Sequence, residues 1–388
     1  MFKSSGSQRF VSGYMILILI GFLIGSAPAL LNVFIDPYEI FVQRDRPGKL
    51  QLLAEKAHYP LWKLSQYEPG KFETVVLGDS RARALRDKYW ESLHFTNTKN
   101  LAYGGGTIPE IYETFKFIKN DPVIKNLVIG IQLRSFDEDH KQGMNRVPEA
   151  ISLIENPVDY VFNWSVAKTS FDVAQAEYPN LATLAMHGGL SMSAVAAVHS
   201  RETLVLDSLY AAKTPQRELP DRFARQITRN AKSDWQRFEF SEKYWEYIAE
   251  IGEWARTKDK RIIFVIPPTI VEMQQTISNF GLRHVDIELR KRLSQYGIVL
   301  DLDYPDSLTR DIGNFTDAYH FNAPVAREIA GEIVARLSAD SRVQKTVKKR
   351  RKSLDCNTPP LDERIIEVDE NIVLVQGKNC RTWRLIDG

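Results

Sequence analysis

Cysteine is nearly missing from this chain: only Cys356 and Cys380 occur among 388 residues, both close to the C-terminal end. That excludes a disulfide-built scaffold, and no metal-ligand cysteine spacing is present. Charge of one sign is lacking as well. The 51 Lys and Arg against 49 Asp and Glu leave a net charge of +2, which argues against a dedicated nucleic-acid binder and points to no partner by bulk charge. Internal repeats are not evident. What remains is an ordinary globular composition, 44% hydrophobic and 26% charged, long enough to bury a full α/β core and still carry a large insertion.

Residues 11–35 contain no charged side chain, and their centre reads YMILILIGFLIG. Roughly 20 apolar residues cross a bilayer as a helix. Lys3 and Arg9 precede the run, while Asp36 and Glu39 follow it. Positive flanks stay cytoplasmic, so an uncleaved signal anchor at 11–35 is expected, with residues 1–10 cytoplasmic. The bulk of the chain then lies outside the inner membrane, in a periplasmic or other extracytoplasmic space. A cleaved signal peptide is the alternative, because Ser26-Ala27-Pro28-Ala29 offers small residues. The apolar run continues past them, and Pro28 disfavours cleavage. In an outward compartment Cys356 and Cys380 can pair, closing a loop of about 25 residues and stabilising the tail by roughly 3 kcal/mol; two free thiols are the alternative.

Beyond a linker at 36–70, with an amphipathic helix expected near Leu50 to Tyr67, the pattern changes. Short apolar runs at Thr74 to Asp79, Asn126 to Gln132, Arg261 to Pro267 and Gly297 to Leu302 read as buried strands. Helical patterns lie between them at Pro109 to Lys119, Glu242 to Thr257 and Arg283 to Tyr296, and Ala323 to Leu337 is amphipathic. Strands alternating with helices predict an α/β domain with a parallel sheet over 71–340. Residues 134–235 break the rhythm and read as a mostly helical insertion. A basic cluster follows at 345–352, and the runs IIEV, IVLVQ and TWRLI predict a small antiparallel β unit within 341–388.

The chemistry concentrates in two places. Gly78-Asp79-Ser80 follows the first strand, where a serine sits exposed at the strand's carboxyl end and its N–H can help hold an oxyanion. A serine hydroxyl needs a base. Thr316-Asp317-Ala-Tyr-His320-Phe-Asn322 precedes the last helix. Asp and His three apart can set the imidazole with Nδ1–H toward the carboxylate and Nε2 outward. Alone, GDS is a common strand-end turn; with DxxH at the far end of the domain it is much more specific.

These residues carry a resemblance. VVLGDSRA, the glycine-rich block Asn100-Leu-Ala-Tyr-Gly104-Gly105-Gly106-Thr and DAYHFN resemble the SGNH/GDSL hydrolase superfamily over about 74–337. The anchor, Asp36-Pro37-Tyr38 and the His320-Phe321-Asn322 ending resemble membrane-anchored SGNH-like proteins of alginate-type exopolysaccharide O-acetylation. The resemblance implies a three-layer α/β/α, flavodoxin-like sheet, with Ser80 as nucleophile, His320 as general base and Asp317 as its orienting acid. It implies an oxyanion site built from the Ser80 N–H, a glycine N–H (Gly105, with Gly104 and Gly106 as competitors) and an asparagine side chain. The third block departs from the family: Gly130-Ile-Gln132-Leu-Arg134 stands where GxND is expected. Gln132 could supply an amide and Arg134 could contact an acyl oxygen or a sugar carboxylate; strand-end solvation is the alternative for both.

Other residues carry less. His140 among Asp137, Glu138 and Asp139 reads as a solvated acidic turn rather than a metal site. His187, His199 and His284 read as structural or exposed; Asp301 and Asp303 could line the cleft, but sheet-edge capping is the simpler account. Tyr244, Trp245, Tyr247 and Trp254 have helical spacing that favours packing over sugar stacking. The basic run at 345–352 reads equally as a contact for lipid headgroups or an anionic polymer and as a solvated helix end.

Three functions follow. Ser80 could accept an acetyl group and pass it to a cell-surface polysaccharide, with a multi-pass membrane O-acyltransferase supplying it. An esterase would use the same triad with water. A non-catalytic subunit would bind the polysaccharide or the acyltransferase. No cofactor and no metal is expected.

Overall fold

The computed structural model describes residues 25–44, 46–178, 219–338, 366–369, 372–376 and 383–387. The chain falls into two compact units. Residues 1–67 and 146–200 belong to one, and residues 68–145 and 201–388 to the other.

The second unit is built on five strands: β1 (Thr74–Leu77), β2 (Thr98–Asn100), β3 (Asn126–Gly130), β4 (Arg261–Ile266) and β5 (Ile298–Asp301). They lie in the order β2-β1-β3-β4-β5, and every pairing is parallel. Four strands occupy the runs expected from the sequence. The fifth, β2, is three residues long and immediately precedes the glycine-rich block; too short and polar for an apolar signature, it is held by pairing with β1. All residues of β1 and β3 are buried, which accounts for apolar runs without alternation. Val76, Val128, Ile263, Val265 and Leu300 share one core with Ile329, Ile333 and Val334 of the helix Ala323–Leu337. Burying each such side chain stabilises the fold by about 1.5–3 kcal/mol. The chain steps from β1 to β2 on one side and then turns back to β3 on the other side of β1, so the strand order changes direction beside β1. In open α/β sheets ligands bind at such a point, beyond the strands' carboxyl ends.

The first unit takes in most of the stretch expected as a linker. Helices Gly48–Ala57 and Tyr59–Ser65 stand where one amphipathic helix was predicted, separated at His58, whose Nδ1 accepts from the Leu61 N–H at 3.1 Å and starts the second helix. The expected insertion at 134–235 is not one body. Residues 134–145 and the helix Asp221–Trp235 belong to the sheet-bearing unit, whereas helices Val147–Glu155, Pro157–Val161 and Trp164–Glu177 belong to the first unit. No helix among the described residues is long and apolar enough to cross a membrane; the described helix at 25–35 covers the end of the charge-free run, and residues 11–24 lie outside the described residues.

In the tail, β6 (Ile366–Asp369), β7 (Ile372–Gln376) and β8 (Trp383–Asp387) form a three-stranded antiparallel sheet, as the three alternating runs predicted. Cys356, Cys380, His187, His199 and the basic run at 345–352 lie outside the described residues.

Candidate active site

β1 ends at Gly78, whose φ of 138° is accessible only to glycine. A Cβ there would lie 2.7 Å from both the Gly130 carbonyl and the Ala82 Cβ. The turn can therefore press β1 against the end of β3 and start the short helix Ser80–Arg83 at once. Asp79 caps that helix, its Oδ1 accepting from the Arg81 N–H at 2.9 Å. Ser80 is left half-buried at the strand's carboxyl end.

The second half of the site is a tight loop ahead of the last helix. Phe315 and Phe321 pair across it, and the Thr316 N–H donates to the His320 carbonyl at 2.7 Å. Asn322 closes the loop by capping the helix, accepting from the Val325 N–H, while its own N–H donates to the Asn314 carbonyl at 2.8 Å. Within the loop, Asp317 accepts from the N–H groups of Tyr319 (2.8 Å) and His320 (2.9 Å). Its two oxygens also stand 3.0 and 2.9 Å from His320 Nδ1.

The two halves meet. Ser80 Oγ lies 2.9 Å from His320 Nε2. An ionised carboxylate only accepts, so Nδ1 carries the imidazole proton toward Asp317, and Nε2 presents its lone pair to the Ser80 hydroxyl. Burial pushes the Asp317 carboxyl up, yet the His320 imidazole and the two backbone N–H groups outweigh it and hold the carboxyl well below its usual range. The carboxylate therefore stays charged wherever the imidazole works as a base. Such a Ser–His–Asp chain can deprotonate a hydroxyl as it attacks an acyl carbon.

The glycine-rich block lies against this turn. The Tyr103 N–H donates to the Gly78 carbonyl at 3.0 Å, and a Cβ on Gly106 would lie 2.5 Å from that carbonyl oxygen. Gly105 has a φ of 70° and gives its carbonyl to Lys141 Nζ. The Gly106 N–H is spent on the Tyr103 carbonyl at 3.2 Å. Among the described residues, the N–H groups of Ser80 and Gly105 donate to no protein acceptor, which favours Gly105 over Gly106 as an oxyanion donor.

No protein-family model and no curated protein sequence matches this chain.

Gln132 and Arg134 are placed beside the turn but are already engaged. Gln132 is buried, with Nε2 donating to Asp79 Oδ2 at 3.4 Å and Oε1 accepting from the Tyr319 hydroxyl. Its amide therefore braces the two halves. Arg134 pairs with Asp234 at 3.3 Å and lies 3.9 Å over the Tyr319 ring. Arg81, itself buried, lies 4.2 Å from the same ring centre and reaches Asp79 at 3.4 Å. Burial works against charge on Asp79, but Arg81 and Arg134 prevail and keep its carboxyl below the ordinary value.

Tyr319, Arg81 and Gln226 had no sequence signal of a role. Gln226, on the helix Asp221–Trp235, donates to Asp317 Oδ1 at 3.2 Å and accepts from the Ala318 N–H at 2.9 Å. It lies in the stretch expected to be an insertion, 91 residues from Asp317.

The remaining candidates have structural surroundings. Asp301 accepts from Arg290 at 2.7 Å, and Asp303 accepts from Thr269 and Gln274, as strand-end caps should. Tyr247 stacks on Tyr112 at 4.2 Å and Trp254 meets Phe115 edge-on at 5.1 Å. Tyr244 and Trp245 are buried. His140 is pushed down to about 3, first by burial and then by Arg134 and Lys141, with Asp79 opposing. No group of three metal-ligating side chains occurs among the described residues.

Proposed function

We propose that the chain is a membrane-anchored, extracytoplasmic SGNH-type enzyme with a three-layer α/β/α domain. In this reading it transfers an acyl group, acetyl in the first instance, to a cell-surface polysaccharide. The observation that carries the reading is the continuous bonding from the Ser80 hydroxyl through His320 to Asp317 at the carboxyl end of β1.

The chemistry runs in two halves. His320 Nε2 takes the Ser80 proton as Oγ bonds to the acyl carbon, and the N–H groups of Ser80 and Gly105 hold the resulting oxyanion. The imidazolium returns the proton to the departing oxygen, leaving acyl-Ser80. An acceptor hydroxyl then gives its proton to His320 and attacks the same carbon, and Ser80 leaves with that proton restored. Asp317 keeps the imidazole in the working tautomer throughout. Acyl-CoA is not found outside the cytoplasm, so a multi-pass O-acyltransferase in the bilayer is the expected donor. The site is open, with the His320 side chain 39% exposed, which suits a polymeric acceptor.

That same openness favours a second reading, an esterase in which water takes the acceptor's place, because water reaches a side chain exposed to this degree. The altered third block, with Gln132 bonded to Asp79 and Tyr319 where the family has an asparagine, supports a third, a binding subunit.

The full chain in detergent, incubated with an acetyl-ester reporter, should carry an acetyl group on Ser80 by peptide mass spectrometry, and should pass it to an oligosaccharide in preference to water. Release to water alone would favour the esterase. An unlabelled Ser80, with polymer acetylation in cells indifferent to Ser80→Ala and His320→Ala, would leave the binding role.

A further inference from the structure

The first unit carries an apolar surface that the acyl-transfer chemistry does not use. Eleven large hydrophobic side chains are exposed among the residues whose side chains are described, and all but Ile298 belong to this unit. Leu30, Val33 and Phe34 share one face of the helix at 25–35, being three and four residues apart. The opposite face, with Ala29, Asn32 and Ile35, is buried. Two more segments bring Phe41, Phe162 and Trp164, of which Phe162 is 74% and Trp164 63% exposed.

Buried polar groups tie these segments together. Asn32 is fully buried and donates through Nδ2 to the carbonyls of Val161 (2.9 Å) and Asn163 (3.1 Å), while its Oδ1 accepts from Ser170 Oγ at 2.9 Å. The helix is thereby fixed to the turn that carries Phe162 and Trp164. Asp36, also fully buried, accepts from the N–H groups of Ile40, Phe41 and Val42 at 3.0, 2.9 and 3.0 Å and from the Tyr160 hydroxyl at 2.9 Å. Exposed rings are thus held in place by groups whose own burial is costly unless satisfied. Exposed apolar side chains on segments tied together in this way mark an interaction site.

We infer that this surface docks on a lipid bilayer, with the rings at residues 34, 41, 162 and 164 seated at the level of the headgroups. The helix at 25–35 is the direct continuation of a run that has no charged residue from 11 onward, so the chain that leads into the surface has the composition of a membrane span. Tryptophan and other amphipathic or aromatic side chains concentrate at that depth. The inference goes beyond the acyl-transfer reading and does not depend on the triad.

The test uses the full chain with Cys356→Ser and Cys380→Ser, reconstituted in phosphatidylcholine–phosphatidylglycerol vesicles, and a nitroxide on a single introduced cysteine. Phe162→Cys and Phe34→Cys report on the surface, and Ile298→Cys is the aqueous control. Power saturation should show the labels at 162 and 34 relaxed more by oxygen than by a water-soluble nickel chelate, with the reverse at 298. If the chain floats with the vesicles but the label at 162 meets the chelate as freely as at 298, the surface does not touch lipid. Protection at 162 that vanishes on dilution of protein in lipid would assign the face to a second copy and overturn the inference. A chain that fails to float would overturn both the anchor and the docking surface, and leaves Ser80 acylation as a separate measurement.

Discussion

The guanidinium of Arg134 lies 3.9 Å from the centre of the Tyr319 ring, with Arg81 at 4.2 Å from the same centre. Tyr319 is one of the two residues between Asp317 and His320, so whatever grips its ring grips the loop that carries His320. The two arginines come from the ends of β1 and β3. This clamp, completed by the Tyr319 hydroxyl on Gln132, couples the His320 loop to the Ser80 turn.

Loss of the triad should be visible in chemistry and not in folding. Ser80→Ala and His320→Ala are expected to abolish reporter turnover, and Asp317→Asn to lower it by about 10³- to 10⁴-fold, because the amide no longer enforces the tautomer. Steady-state kinetics on each variant checks this, with circular dichroism as the control for folding. Equal activity in Asp317→Asn and the parent would remove Asp317 from the mechanism.

Tyr319→Phe keeps the ring between the arginines but leaves the buried Gln132 Oε1 without its donor. A loss of about 1–3 kcal/mol is expected from an orphaned buried acceptor, measurable by denaturant titration. Tyr319→Leu should lose more, since both cation–π contacts go as well.

Acid should weaken the sheet-bearing unit through His140. Its folded value, about 3, lies below the roughly 6.5 of an unfolded histidine. Below about pH 6.5 the unfolded chain therefore takes up a proton that the folded chain refuses. The stability this group contributes is full above that pH and is lost as pH falls toward 3. Chemical denaturation of His140→Asn between pH 7 and 4 should show a flatter decline than the parent; identical slopes would count against a half-buried neutral imidazole.

The two glycines of the second block should differ on substitution. Gly106→Ala drives a Cβ to 2.5 Å from a backbone carbonyl of the nucleophile turn, which cannot retreat without moving Ser80; a loss of about 1–3 kcal/mol is expected for such overpacking. At Gly105 the nearest atom is the flexible end of Lys141, at 2.7 Å, so the alanine cost is the positive φ alone, about 1 kcal/mol. Reversal of that order in thermal denaturation would contradict the packing described.

The amino-acid sequence by itself determined the elements whose signal is local. Continuous apolar runs made β1, β3 and β4, because strands buried on both faces need no alternation; the run of β5 is buried only at its carboxyl end. Helical periodicity drew Glu242–Thr257 and Ala323–Leu337 at their observed bounds. GDS after a strand and DxxH before a helix marked Ser80, Asp317 and His320, since each motif is a local turn with its own capping bonds. Only the tertiary structure decided what a separation of 240 residues left open: that the Ser80 hydroxyl and His320 Nε2 come to 2.9 Å. It also decided that Gln132 and Arg134 are braces turned toward Asp79, Tyr319 and Asp234, that Gln226 supports the acid from a segment with no motif, and that residues 146–177 belong with the chain's beginning. Those outcomes depend on contacts between segments far apart in the chain, and neither periodicity nor spacing encodes which distant partner satisfies a buried polar group.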